Sequence, residues 1–419
     1  MRLFKNGKIA SGASPELVNA DVLVNEDGVI VEVGPSLNGG DAEVTDCSGC
    51  VMVPGMFDLH VRGREPGFEH KETLKTCAAA ALHGGITGVV LMPDTSPPID
   101  SGNQLKSVQD RIVELGSIEM LQAGCLTAGR AGKELAGYSG LAALGVPMLT
   151  DSDRSIDCPD LLRRCMEYAR DFDLLVTSHC ETSALAKAGV VNEGRLSYRL
   201  GLPGLPAISQ EISLVRDLAL ARHTGVRLHL QQISTGVSLD AVRLAKRAGV
   251  RVSCEVSPHH LMLSEEDITN YDTAFKIQPP LQKRENNEAL LAGLLDDTID
   301  VFASGHAPHT AFEKSADFGS APWGASALET AVLAIYDRFI RVGKFNWDLL
   351  IRKYSSAPRQ LVGLDPVAIS MGEKANFFVF DVEAETKITP DYFRSKCSVS
   401  PFMEETFQGQ FRETLIEKY

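Results

Sequence analysis

Two rhythms of apolar and polar residues divide this chain. From residue 1 to about 54, short β-rich runs are separated by turns. Val22–Gly34 holds two such runs on either side of Glu26-Asp27-Gly28, a hairpin signal. From Val51 the rhythm changes, and helical segments alternate with short apolar runs. Residues 73–83 precede 88–92, 160–170 precede 174–179, 209–223 precede 226–230, 239–248 precede 250–256, and 288–295 precede 299–303. That order requires parallel strands joined by crossover helices. The count is close to eight, which predicts an α/β fold with a (β/α)8 TIM barrel. Residues 326–342 read as a long amphipathic helix, and β character returns at Asn376–Asp381. The predicted domains are therefore a barrel over 55–365 and a small discontinuous β-sandwich built from 1–54 and 366–419.

Composition narrows the classes. A chain of 419 residues with 44% apolar and 23% charged residues can bury a large core. A net charge of −14 argues against binding nucleic acid or an anionic membrane surface. No run approaches the length of a membrane-spanning helix, and the N-terminus leads straight into strand-like sequence with no signal peptide. Nine scattered cysteines fit reduced thiols in a cytoplasm. Cys47-Ser-Gly-Cys50 has no second pair to complete a zinc knuckle and is read as a turn before a strand.

In a barrel, chemistry gathers where strands end. The first strand ends in Asp58-Leu-His60-Val-Arg62-Gly-Arg64, whose alternate side chains share a face. Later ends are Leu91-Met-Pro-Asp94-Thr95, Leu149-Thr-Asp151-Ser-Asp153, Val176–Glu181 with His179, and Leu228–Thr235 with Gln232. Ser257–Leu263, Phe275–Leu281 and Val301–His309 complete the set. A lone strand-end histidine is more often structural than a ligand. His70, His83 and His223 fall on loops or helices, and His229, inside a strand, is expected to face a helix.

Together, and in this order, these segments resemble dihydroorotase of the long bacterial type, in the amidohydrolase superfamily. This is the type also found fused or bound to aspartate transcarbamoylase. The resemblance runs from about Asp21 to the C-terminus. It rests on Asp58-x-His60, Arg64-Glu-Pro-Gly67, Gly84-Gly-Ile-Thr87, Thr150-Asp151, His179-Cys-Glu181, Gly201-Leu-Pro-Gly204, Glu255-x-x-Pro-His-His-Leu261, Pro279-Pro-Leu281, His306-Ala-Pro-His309 and Ser400-Pro-Phe402. For an active member it implies an amidohydrolase-type barrel in which one or two zinc ions activate water, with an aspartate as proton shuttle.

Carried over residue by residue, the resemblance is incomplete. His60, Asp151 and His179 stand at metal positions, and Arg64 and His309 at positions that hold the substrate carboxylate. Arg62 and Gln232 stand where the family has histidine ligands. Gly305 replaces the catalytic aspartate, so no catalytic residue is assigned. Asp94 replaces a substrate-binding asparagine, and Gln278 another asparagine. Zinc is implied by the family but disfavoured by these replacements. The chain is expected to be a catalytically inactive dihydroorotase-like protein acting as a structural or regulatory partner, for example of aspartate transcarbamoylase, and to form a homo-oligomer. The alternative is an active cyclic amidohydrolase with one metal on His60, His179 and Asp151. In the first reading, Arg62 takes the metal's place and pairs with Asp151, with His179 nearby. Asp94 then faces a ligand carboxylate with like charge, and no single change in the sequence compensates.

Overall fold

The protein is described, over residues 1–416, by a computed structural model. Seven strands from both ends of the chain hydrogen-bond into one sheet: Arg2–Ile9, Val18–Val24, Ile30–Gly34, Glu43–Asp46, Cys50–Pro54, Asn376–Lys387 and Thr406–Ile416. The seam is antiparallel, with Phe377 opposite Pro54 and Val379 opposite Met52. Alternation along this strand serves two cores. Phe377 and Val379 pack with Phe4, Val22 and Met52, while Phe378 and Phe380 face the main core. The hairpin signal at Glu26-Asp27-Gly28 does join two antiparallel strands, and Gly28 supplies the left-handed turn residue. Cys50 N–H donates to the Cys47 carbonyl at 2.9 Å, so the CxxC is a tight turn before a strand. Its thiols are buried and free, and burial pushes Cys47 up to about 12.

Besides a separate parallel pair, Val191–Asn192 with Gly204–Leu205, the middle of the chain contains eight short parallel strands: Met56–Val61, Ile86–Leu91, Glu119–Gln122, Met148–Leu149, Leu175–His179, Arg227–Gln231, Val252–Val256 and Val301–Phe302. The first three form one sheet and the last five another. Isolated parallel bridges, Gly124 to Leu149 and Val61 to His306, link the two sheets at both edges. The eight strands thus follow one another in a cyclic order, with helices between them. Their side chains are almost all buried, as expected for strands covered on both faces.

One sequence expectation needs correction. The segment after Ser326 is not a single amphipathic helix. An α-helix spans Leu328–Ile335 with every side chain buried, and it continues through a wider π-helical turn over Tyr336–Ile340. The reason is its position between the ring and the small sheet, where Tyr336 packs edge-on to Phe380 at 4.8 Å. Among the described residues, no helix is long and apolar enough to cross a membrane.

Candidate functional site

The end of the first ring strand is held by Asp58. Its buried carboxylate accepts the N–H of His60 (2.9 Å), the N–H of Ser304 (2.8 Å) and the Tyr354 hydroxyl (2.7 Å). This carboxylate therefore ties the first strand to the end of the last. His60 then reaches across the ring. Its Nδ1 lies 2.6 Å from Glu255 Oε1, while Glu255 Oε2 lies 3.1 Å from His229 Nε2, and His229 Nδ1 meets Ser253 Oγ at 2.8 Å. Burial alone would push Glu255 upward, but the imidazoles of His60 and His229 outweigh it and bring the carboxyl down to about 2. His229 was expected to face a helix. It points instead at Glu255, because a fully buried carboxylate must find donors.

Arg62 does not pair with Asp151. Its Nε lies 3.1 Å from Asp94 Oδ2 and its Nη2 lies 3.5 Å from Asp153 Oδ2. Arg64 approaches the same Asp94 oxygen at 3.5 Å. Arg130 closes on the other Asp153 oxygen and donates to the Asp151 carbonyl at 2.8 Å. The Asp151 carboxylate is turned away and fully occupied. It accepts Leu126 N–H (2.9 Å), Thr127 N–H (3.0 Å) and the Thr127 hydroxyl, so it caps a backbone turn. Asp94 likewise does not stand as a bare like charge toward a ligand. It sits between two guanidiniums, and the compensating change missing from the sequence reading is Arg62 itself. Burial pulls Arg62 down, but Asp153 and Asp94 outweigh it and hold its pKa above the ordinary arginine value.

Arg64 and His309 do come together. Arg64 Nε donates to the Pro308 carbonyl at 3.2 Å, and its Nη2 lies 3.0 Å from His309 Nε2. Lys71 Nζ approaches His309 Nδ1 at 3.3 Å, and Nε2 is 2.9 Å from the Trp323 carbonyl oxygen. Nε2 thus meets both a donor, Arg64 Nη2, and an acceptor, the Trp323 carbonyl, while Nδ1 meets the Lys71 ammonium. Burial, then Arg64 and Lys71, push His309 down to about 2, so the ring is neutral. Trp323 is fixed from behind by Lys314, whose ammonium donates to the carbonyls of Pro322 (2.9 Å) and Gly324 (2.8 Å).

At the centre, Gly305 has φ +65°, and a Cβ built there would lie 2.1 Å from Gln232 Nε2. The Gln232 amide therefore occupies the space into which an aspartate at 305 would project. Gln278 Nε2 donates to Glu181 Oε2 at 3.1 Å and lies 3.4 Å from His179 Nε2. His259 stacks on Phe402 at 5.4 Å, and its buried Nε2 has no partner. The cavity left between His60, Arg62, His179, Gln232, His259 and Trp323 is about 20 Å³, room for about one or two waters.

These side chains do not fit the zinc centre that the resemblance implies. Zinc needs nitrogen, sulfur or carboxylate donors in a tetrahedral set. His60 and His179 line the cavity, but Asp151 is spent on the backbone and two further ligand positions are Arg62 and Gln232. Among the described residues, no group of three or more His, Cys, Asp or Glu is arranged to hold a metal ion. A divalent ion ~4 Å from the Arg62 guanidinium would be repelled by about 2–8 kcal/mol at effective dielectrics of ~80 to ~20.

A direct consequence concerns position 305. Gly305→Asp should destabilise the protein by roughly 1–3 kcal/mol in urea unfolding, because the new side chain meets Gln232. Gln232→Ala introduced beside it should recover the part that the collision causes and leave the cost of an aspartate at φ +65°. Full stability in Gly305→Asp alone would contradict the collision.

Several residues of this site were not assigned from sequence. Asp153 lay in a noted carboxylate cluster, and Glu255 in a noted landmark, so both had a signal. Arg130 ends a short 3-10 turn, Ala128–Arg130, and Lys71 lies on a loop, both without any motif.

A family model described as Dihydro-orotase-like matches residues 49–238. A dihydroorotase of Carboxydothermus hydrogenoformans is 38% identical over 408 residues, covering 97% of this chain and 94% of that protein. A dihydroorotase of Bacillus cytotoxicus is 38% identical over 414 residues, covering 99% and 96%. Among solved structures, an L-hydantoinase (dihydropyrimidinase) from Arthrobacter aurescens superposes with a TM-score of 0.85 at 20% identity, covering 100% of this chain and 95% of that one. A dihydropyrimidinase from Brevibacillus agri superposes with a TM-score of 0.83 at 20% identity, covering 100% and 94%. At that identity the structural likeness speaks for the fold alone. Identity of 38% along nearly the whole length leads to one conclusion: the chain belongs to the dihydroorotase family.

Proposed function

We propose that this chain is a dihydroorotase-family protein of pyrimidine biosynthesis that no longer hydrolyses a cyclic amide and acts as a structural or regulatory partner. The partner class that the family resemblance suggests is aspartate transcarbamoylase. One observation carries the reading: the Gln232 amide stands against Gly305, where the family places its proton-shuttling aspartate. Hydrolysis needs a group that takes a proton from water and returns it to the leaving nitrogen, and glycine has none. Arg62, paired with Asp94 and Asp153, supports the same reading, since it adds a permanent cation among the former ligand positions. Arg64 and His309 stand together at the positions where the family holds the substrate carboxylate, and Asp94 and the Trp323 carbonyl already engage them.

The test is formation of carbamoyl aspartate from dihydroorotate at high protein concentration, with and without added zinc. The expected result is no turnover above buffer and less than one zinc per chain. Association with aspartate transcarbamoylase should appear in co-purification at micromolar concentration, and its failure would leave the partner role unsupported.

A second reading is favoured by a specific finding, the 38% identity with proteins named dihydroorotase. In it the chain is a metal-dependent cyclic amidohydrolase with a single ion on His60 and His179, and Asp151 turns away from Leu126 and Thr127 to join them. One metal per chain together with turnover would establish it in place of the first. In either reading we take the ring as a closed (β/α)8 barrel of the amidohydrolase type over 55–365. The terminal sheet is read as a discontinuous β-sandwich of 1–54 and 366–419. The cyclic strand order supports the first assignment; for the second, strands from both ends of the chain share one seven-stranded sheet, which supports a discontinuous β domain. Nine free cysteines support a cytoplasmic location.

A further inference from the structure

A groove outside the ring lies between the helix Leu74–His83 and the strand Thr406–Ile416, which are joined where the Thr414 hydroxyl donates to the Leu82 carbonyl at 2.7 Å. The groove consists of two adjoining cavities of about 370 Å³ each, and His83, Arg394 and Phe411 line both. Each is within the ~300–1,000 Å³ range of small-molecule sites. The cavity at the ring mouth, in contrast, has room only for water.

Three features point to the chemistry of a ligand. The groove is walled by rings: His83 and Tyr392 lie 4.6 Å apart, and Phe411 is common to both cavities. Burial, and then Arg394, push His83 down to about 4, so its ring is neutral at pH 7, and its buried Nε2 has no partner. Arg394 is anchored but uncompensated. Its Nη1 donates to the Asp391 carbonyl at 3.1 Å, and among the described residues its guanidinium forms no salt bridge. The other cations of the groove are paired, Lys387 with Glu404 at 2.7 Å and Arg412 with Asp381 at 2.5 Å. A held guanidinium with free N–H groups fits the two oxygens of a carboxylate. The third feature limits the charge. Glu385 and Asp391 line the first cavity and form no salt bridge among the described residues, whereas Glu413, in the second, is taken by Arg2 at 2.6 Å. Two free carboxylates near one guanidinium repel a dianion and admit one negative charge placed on Arg394.

We propose that this groove binds a small planar monocarboxylate, with its ring among His83, Tyr392 and Phe411 and its carboxylate on Arg394. The site touches a segment that reaches the ring mouth. Arg394 belongs to the loop between the strands Asn376–Lys387 and Thr406–Ile416. Its backbone N–H donates to the buried Glu329 carboxyl at 2.5 Å, and the next residue, Ser395, engages Glu72 through its hydroxyl. Further along, the Cys397 carbonyl accepts the Ser326 hydroxyl at 2.5 Å, and Phe402 stacks on His259. A ligand on Arg394 thus holds one end of a loop whose other end packs at the mouth. Neither reading of the ring's chemistry bears on this groove.

The test is titration calorimetry of the full chain with naphthoate, naphthamide and naphthyl phosphate as probes. Naphthoate should bind once per chain, and the uncharged amide and the dianionic phosphate should each bind at least about tenfold more weakly. Arg394→Gln, at an exposed position, should weaken naphthoate by about tenfold and leave the thermal midpoint unchanged. Glu385→Gln together with Asp391→Asn should bring naphthyl phosphate up to the affinity of naphthoate. Bound naphthoate should slow amide exchange over residues 394–402. Absence of saturable binding, equal affinity for the amide, or naphthoate binding that Arg394→Gln leaves intact, the mark of a carboxylate held at Arg64 instead, would overturn the inference. So would a phosphate that stays excluded from the double variant, or exchange over 394–402 that naphthoate does not change.

Discussion

Asp94→Asn should destabilise this protein by about 3–5 kcal/mol, although asparagine is the residue that the family carries at that position. The reason lies in its neighbours. Asp94 Oδ2 is shared by Arg62 at 3.1 Å and Arg64 at 3.5 Å, and all three side chains are buried. Removing the carboxylate leaves two guanidiniums side by side, with Asp153 serving Arg62 only at 3.5 Å and already engaged by Arg130. Burial above all, and then Arg62, bring Arg64 down to about 10 even with Asp94 raising it. A second substitution should rescue the first. Arg62→Ala in the Asp94→Asn chain removes one of the two opposed cations and should return most of the loss, a coupling of at least ~2 kcal/mol in a double-mutant cycle. Urea unfolding of the parent, both single variants and the double variant measures it. Additive losses would show that Arg62 and Asp94 are not a compensating pair.

The second large effect is expected at Glu255. This carboxylate is fully buried and bridges His60 and His229. Glu255→Ala should cost about 3–5 kcal/mol at neutral pH, since it strands two buried imidazoles. The pH dependence has a definite sign. Burial raises this carboxyl and the two imidazoles lower it further than burial raises it, leaving it at about 2 against an ordinary value of 4.5. The folded state therefore gives up the proton more readily than the unfolded state. The stabilisation is complete above pH 4.5 and is lost as the pH falls toward about 2. The difference of about 2.5 pH units, at ~1.4 kcal/mol each, amounts to roughly 3–4 kcal/mol. Glu255→Gln should flatten the fall in stability across that window in urea titrations at stepped pH. An unchanged slope would mean that acid lability comes from elsewhere.

Both predictions concern residues that the sequence brought into view without revealing what they do. Asp94 was visible as a departure from a motif, and so was Arg62. Their pairing was not, because the two stand on adjacent strand ends more than thirty positions apart in the chain. Asp151 was read as a partner for Arg62 or for a metal. The donors that claim it, Leu126, Thr127 and the Thr127 hydroxyl, lie on another loop and carry no pattern. Gln232 and Gly305 were each read as a lost function. Only their proximity shows that one fills the space of the other.

The sequence by itself determined the alternation of strand and helix, the terminal hairpin, the turn at Cys47–Cys50 and the strand ends that carry the chemistry. These follow from local periodicity, from turn residues and from ordered motifs, which neighbours in the chain impose on one another. It also determined that Arg64 and His309 belong to one site, through their family positions. The tertiary structure alone decided where each buried charge finds its partner: Arg62 with Asp94 and Asp153, Glu255 with His60 and His229, Asp151 with a backbone turn. A buried ion is stable only beside whatever donors or counter-charges the folded chain brings within about 4 Å. That distance is set by packing between strands and loops far apart in sequence, which no local pattern encodes.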